Sequence, residues 1–282
     1  MTAGGEDTTT PTVGVLALQG SFKEHARVLE GLGAATREVR CAADLDGLDG
    51  IVLPGGESSA MGVLETAAGD FGPTPSAGLF AALKTRLRRG RGLPAYGTCA
   101  GLILLSDEAV GQKAGGQPLV GGLDATVCRN YFGAQVASFE VPLETSGFAG
   151  TFPAVFIRAP AILRLGDEAT PLATVTAAPC AAARGHVDAF RRSNHEAEPE
   201  PEPSPSKKAK TTAASSSDDT AASDNHRVIV AARQGNLLVT AFHPELTQDT
   251  RWHRVFLDIC RTHAAKAGGD DKAATNGAAS TA

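Results

Sequence analysis

A chain of 282 residues, 42% of them hydrophobic and 20% charged, is long enough and apolar enough to bury a substantial core as a globular protein. A net charge of −5 and an aromatic content of 5% supply neither the basic footprint nor the stacking platforms of a nucleic-acid binder. No stretch approaches the roughly 18 apolar residues that a membrane helix needs, and Met1 to Thr12 lacks the apolar core of a secretory leader.

Residues 1–12 are polar and predict a disordered N-terminal tail. Val13–Leu18 is a continuous apolar run, which suits a strand covered on both faces, as in a parallel sheet. After a turn at Gly20, residues Phe22, Ala26, Leu29 and Leu32 recur at helical spacing. Gly50–Pro54 is a second buried strand and ends in Gly55-Gly56; Leu93–Tyr96 is a third and runs into Gly97-Thr98-Cys99-Ala100-Gly101 and the apolar Leu102–Leu105. Further strands are expected at Ala154–Ile157, Val228–Ala231 and Leu237–Phe242, and Trp252, Val255, Phe256 and Ile259 mark a closing amphipathic helix. Glu-Pro repeats followed by Ser/Ala/Thr runs predict a disordered insert at about 185–226 inside a single domain over 13–263. Within that insert, Lys207-Lys208-Ala209-Lys210 reads as a solvated lysine cluster, with a nuclear-import signal as the alternative. Residues 264–282 predict a disordered C-terminal tail. Alternating strands and helices joined by short Gly-rich connections imply an α/β fold, a doubly wound and mostly parallel sheet with helices on both faces. In such sheets chemistry gathers at the carboxyl ends of the strands.

Gly97-Thr98-Cys99-Ala100-Gly101 has the Gly-x-nucleophile-x-Gly spacing of a nucleophile elbow. The flanking glycines let a strand turn sharply into a helix and present the central side chain at the helix N-terminus. The partial positive charge there favours a thiolate. A single cysteine is ordinarily a packing residue, and the other four (Cys41, Cys128, Cys180, Cys260) are read that way. No Cys-x-x-Cys pair occurs, so neither a metal site nor a disulfide framework is expected, and the reducing cytosol is the default compartment.

A thiol nucleophile needs a base. Of seven histidines, His243 follows the strand ending at Phe242 and precedes Pro244-Glu245. Residues two apart in an extended segment project to one side, so Glu245 can orient the imidazole and stabilise its charged form. The order Cys, His, Glu differs from that of the α/β-hydrolases, where the acid precedes the histidine. Attack on an amide also calls for preorganised donors. The peptide groups at Gly55-Gly56 and the N–H of Ala100 are candidates for such an oxyanion hole, although the dipeptide alone is more readily a plain turn.

Leu53-Pro54-Gly55-Gly56-Glu57-Ser58, Gly97-Thr98-Cys99-Ala100-Gly101 and Phe242-His243-Pro244-Glu245 together resemble the class I, triad-type glutamine amidotransferases. Gly14–Gly20 with Glu24-His25, Arg129–Gly133, Phe139-Glu140, Phe156–Pro160 and Ala231–Gly235 narrow the resemblance to the glutaminase subunits of pyridoxal 5′-phosphate synthase. It covers about Val13 to Ile259, interrupted by the insert. The resemblance implies a flavodoxin-like sheet and hydrolysis of L-glutamine to glutamate and ammonia through a Cys99 thioester. It further implies that Gly56, Glu57, Ser58, Arg129, Ile157 and Arg158 hold the substrate. Arg129 and Arg158 take that role from the resemblance alone, although an arginine fork suits a carboxylate. No cofactor is implied, because pyridoxal phosphate is the product of the whole complex. The length leaves no second catalytic domain, so a separate TIM-barrel synthase subunit is the expected partner. Departures from the family pattern are Ala134, where arginine is usual, Ser59 and Ala60, where threonine is usual, and the insert. Another class I amidotransferase, a γ-glutamyl hydrolase and a non-catalytic regulatory subunit are the competing readings.

Overall fold

The computed structural model describes residues 10–195, apart from 67, 70, 71, 74, 113 and 114, together with residues 226–278. In chain order the first elements are β1 (Thr12–Leu16), α1 (Phe22–Gly31), β2 (Ala35–Val39), β3 (Gly50–Leu53) and α2 (Ser58–Thr66). Two short strands, β4 (Ala68–Gly69) and β5 (Gly72–Pro73), pair with each other before α3 (Leu79–Leu87), β6 (Ala95–Thr98) and α4 (Ala100–Leu105). Next come β7 (Ser106–Val110), β8 (Leu123–Cys128), β9 (Phe139–Glu144), β10 (Thr151–Phe156), β11 (Ala161–Leu165) and β12 (Thr170–Ala177). The chain finishes with α5 (Ala181–His195), β13 (His226–Gln234), β14 (Leu237–Thr240) and α6 (Arg251–Ala278).

The main sheet runs β2-β1-β3-β6-β14-β13-β11-β8-β7, with β12 also paired to β13. From β2 to β14 the pairing is parallel throughout, and β3, β6 and β14 are buried at every position. That complete burial is why their sequences are continuous apolar runs rather than alternating ones. The pleat of β6 distributes its side chains to opposite layers. Tyr96 packs against His25 of α1 and His253 and Phe256 of α6, whereas a Cβ on Gly97 would meet the Gly101 carbonyl and Leu105 of α4. Helices therefore cover both faces, as the α/β expectation required.

Beyond β14 the sheet changes character: β13, β11 and β8 pair antiparallel, and β9 and β10 form a separate antiparallel ribbon. The antiparallel pairing was not anticipated: the expected strands at Ala154–Ile157 and Val228–Ala231 fall in β10 and β13, but β9 and β12, most of whose positions are at least partly exposed, lack the continuous apolar runs that would have shown them. Three expected boundaries also move. Residues 185–195, placed in the unstructured insert, belong to α5, which buries Ala183 and Val187 one turn apart; residues 196–225, the lysine cluster included, lie outside the described residues. The final helix runs to Ala278, past the expected end at 263, and Thr12, placed in the N-terminal tail, begins β1. Residues 1–9 and 279–282, the rest of the two expected tails, lie outside the described residues. Among the described residues no helix is long and apolar enough to cross a membrane.

Candidate active site

The carboxyl ends of β3, β6 and β14 lie side by side, with Leu53 opposite Gly97 and Thr240 opposite Thr98. Cys99 leaves β6 with φ 48° and ψ −99°, a strained conformation for a residue with a side chain, and α4 starts at the next residue. Its backbone N–H donates to the Thr240 carbonyl at 2.8 Å, which fixes the turn to the neighbouring strand. The glycines on either side are demanded by contact. A Cβ on Gly101 would lie 1.9 Å from the Leu53 carbonyl oxygen, and one on Gly97 would lie 2.6 Å from the Gly101 oxygen.

His243 follows Phe242, which is locked in an aromatic cluster with Phe152, Phe156 and Trp252. Its peptide N–H donates to Val155 of β10 at 2.9 Å, so the ring is positioned from both sides. His243 Nδ1 stands 2.8 Å from Glu245 Oε1, leaving Nε2 for the hydrogen bond with Cys99. Burial alone would lower the imidazole's pKa, but the bonds to Cys99 and Glu245 outweigh it and raise the value to about 10. Burial would likewise raise the Glu245 carboxyl, yet His25, His243 and Ser21 together hold it down at about 2. The arrangement thus carries a charged histidine against the sulfur and an ionised carboxylate behind it. Such a set can hand a proton to a leaving group and take one back.

Cys99 and His243 open onto a cleft of about 170 Å³, also lined by Gly56, Glu57, Ser58, Arg129, Ile157 and Arg158. This size suits a small metabolite rather than a polymer. Glu57 bridges two cations, with Oε1 at 3.0 Å from Arg129 and Oε2 at 3.4 Å from Arg158. The Cys99 thiol points at the Ile157 carbonyl, 3.7 Å away. Ser58 gives its hydroxyl hydrogen to Gln117 at 3.1 Å. Gly55 and Ala100 border the cleft without lining it: a Cβ on Gly55 would overlap the His243 ring, and Ala100 begins α4. The candidate catalytic, oxyanion-hole and substrate residues are therefore in or beside one cleft.

The structure adds residues that the sequence reading assigned no role. Asn130 and Gln135 line the cleft, and Gln19 Oε1 accepts the Glu57 N–H at 2.7 Å. Three of the five non-glycine residues with positive φ among the described residues are Cys99, Asn130 and Arg158, all in the cleft wall. Strain concentrated in this way marks a site held for function rather than stability. Ala134, the departure from the family pattern, is exposed next to Gln135.

A thiol, a histidine and a carboxylate are thus gathered at the strand ends of a mostly parallel α/β sheet. The chain belongs to the SNO glutamine amidotransferase family, whose model matches residues 15–187. It is 43% identical over 89% of its length to the Arabidopsis thaliana "Probable pyridoxal 5'-phosphate synthase subunit PDX2", covering 86% of that protein. It is 42% identical over 88% of its length to the pyridoxal 5′-phosphate synthase subunit PdxT of Clavibacter michiganensis, and 41% identical over 90% to that of Deinococcus radiodurans. These matches cover 90% and 99% of the two bacterial proteins. A crystal structure of a glutamine amidotransferase superposes with a TM-score of 0.61 at 36% identity, covering 88% of this chain and 98% of the other.

Proposed function

We propose that this chain hydrolyses L-glutamine to L-glutamate and ammonia through a γ-glutamyl thioester on Cys99, and passes the ammonia to a separate TIM-barrel subunit that makes pyridoxal 5′-phosphate. The observation that carries the reading is the meeting, in one cleft, of Cys99 and His243 with a carboxylate flanked by two arginines. The names of relatives at 41–43% identity support the biosynthetic role. A single domain over 13–263 carries the reaction in the cytosol, in keeping with five unpaired cysteines.

Glutamine brings an α-ammonium and an α-carboxylate. The carboxylate takes the guanidinium groups of Arg129 and Arg158, and the ammonium takes Glu57, so the present ion pairs are exchanged with no net change in charge. Ser58, Gly56 and Ile157 close around the side chain. The Cys99 thiolate attacks the amide carbon, and the displaced electron pair rests on oxygen beside the peptide N–H groups of Gly55-Gly56 and Ala100. Collapse breaks the carbon–nitrogen bond while His243 protonates the leaving nitrogen, releasing ammonia. His243 then draws a proton from water, the hydroxide attacks the thioester, and cleavage of the carbon–sulfur bond releases glutamate. Glu245 stabilises the imidazolium each time it forms.

The test mixes this chain with its TIM-barrel partner and the phosphorylated sugar substrates, supplying nitrogen as either glutamine or ammonium chloride. Pyridoxal phosphate is expected from both sources, and from ammonium alone when this chain is left out. Failure of ammonium to replace glutamine, or glutamine use without this chain, contradicts the proposal.

A further inference from the structure

Behind Glu245 lie two histidines that the reaction above does not use. His25 of α1 and His253 of α6 are fully buried, with His25 Nδ1 2.9 Å from His253 Nε2. His25 Nε2 is 3.1 Å from Thr98 Oγ1, one residue before the nucleophile, and 3.3 Å from Glu245 Oε2. The other carboxylate oxygen, Oε1, is occupied by His243 at 2.8 Å and by the Ser21 hydroxyl at 2.6 Å. Ser21 sits at the N-cap position of α1 without capping it, its hydroxyl being turned to Glu245 instead. Oε2 is buried and makes no hydrogen bond among the described residues, the 3.3 Å approach of His25 Nε2 being an ion-pair contact, and His253 Nδ1 is buried with no partner there either.

These contacts fix where the protons sit. A bare Nε2 on His25 would set its lone pair against an ionised, buried carboxylate oxygen, which is costly. The hydrogen therefore belongs on Nε2, between Thr98 Oγ1 at 3.1 Å and Glu245 Oε2 at 3.3 Å, with the Thr98 hydroxyl oxygen accepting rather than donating. Nδ1 is then an acceptor, so His253 must donate from its own Nε2, which leaves Nδ1 of His253 as a bare nitrogen. A bare nitrogen without a partner is also the cheaper orphan, because an unmatched N–H or a second charge there would cost more.

We infer that His25 is a positioning residue for this chemistry: neutral and protonated at Nε2, it donates to Glu245 Oε2, and His253 holds it in that tautomer. The assignment rests on the glutaminase reading for its consequence, though not for its geometry. With donors on both oxygens, Glu245 remains an anion through the whole cycle while His243 gains and loses its proton. Without His25, one oxygen faces the interior unpaired, and the carboxyl takes up a proton at higher pH. Burial lowers the pKa of His25 and brings that of His253 down to about 3, which keeps both rings neutral. The charged and titratable groups acting on His25 are Glu245 and His243 from the strand-end loop, His253 from α6 and Glu24 from its own helix; Thr98 and Tyr96 of β6 also face it.

The test compares His25→Phe, which keeps a ring but removes the donor, with His25→Gln, whose amide can donate from nearly the same place. Both are assayed in the complex with the TIM-barrel subunit between pH 5 and 9. His25→Phe is expected to lower kcat roughly 10- to 100-fold with little change in KM, as loss of an orienting partner does. Its activity should also fade at a higher pH on the acid side than in the natural enzyme, and His25→Gln should recover most of both. Equal damage in the two variants, or a natural kcat and pH profile in His25→Phe, overturns the inference. Should His25→Phe fail to fold, ring-nitrogen NMR of the natural chain decides: a neutral Nε2–H tautomer for His25 near pH 7 supports it, and an Nδ1–H or charged ring overturns it. That spectrum involves no glutamine, so it separates failure of this inference from failure of the glutaminase reading.

Discussion

Cys99→Ala is expected to lower glutamine hydrolysis by the assembled complex on the order of 10⁴-fold or more, while synthesis supported by ammonium chloride stays at the natural rate. The size follows from the role assigned to the sulfur. Orientation and oxyanion donors survive the substitution, but the covalent route is closed, and removal of a triad nucleophile costs losses of this order. Stability should change little, because a methyl group occupies the same strained elbow and the thiol gives up only its hydrogen bond with His243 and the 3.7 Å approach to Ile157. Cys99→Ser should be almost as inactive, since a hydroxyl is a far weaker nucleophile near neutral pH. Unaltered folding, checked by thermal unfolding, together with retained ammonium-dependent synthesis separates loss of chemistry from loss of structure.

Gly101→Ala should damage the fold itself. Its new methyl would lie 1.9 Å from the Leu53 carbonyl oxygen, 2.7 Å from its carbon and 3.0 Å from its Cβ. Leu53 is fully buried and paired to Gly97 in the centre of the parallel sheet, so neither partner can withdraw cheaply. The first turn of α4 must move off the sheet, at a cost of about 3 kcal/mol or more. Cys99 moves with it. The urea midpoint should therefore fall sharply, and activity should fall further than stability alone explains. Gly31→Ala is the control: it sits in α1 with nothing within 4 Å of the new methyl and should stabilise slightly, by roughly 0.5–1 kcal/mol.

In the parallel half of the sheet β1, β3, β6 and β14 were legible because full burial writes itself into sequence as unbroken apolar runs, as in Gly50–Leu53 and Leu237–Thr240, whereas β2, which buries only Val39, was not. The antiparallel half was less so. β12 buries only Ala173, includes Pro171 and carries register shifts against β13, which blurs any two-residue period. Helix α5 was obscured by its neighbours, since Ala183, Val187 and Phe190 keep helical spacing but run straight into the Glu-Pro segment. Cys99, His243 and Glu245 were found because each lies in a short local motif at a strand end. Ser21 and His25 were not, because their contacts with Glu245 join residues more than 200 positions apart, and no local pattern records that. The positive φ of Asn130 and Arg158 is likewise a tertiary fact.

In the proposed reaction Cys99 forms a covalent bond with the side-chain carbonyl carbon of glutamine. Incubating the complex with a glutamine analogue that carries an electrophilic ketone in place of the amide, followed by peptide mass spectrometry, tests it directly. One adduct is expected, on Cys99, formed in step with loss of glutaminase activity and prevented by excess L-glutamine, with Cys41, Cys128, Cys180 and Cys260 unmodified. Complete inactivation with Cys99 unmodified, or an adduct on another cysteine that tracks the loss of activity, would contradict it.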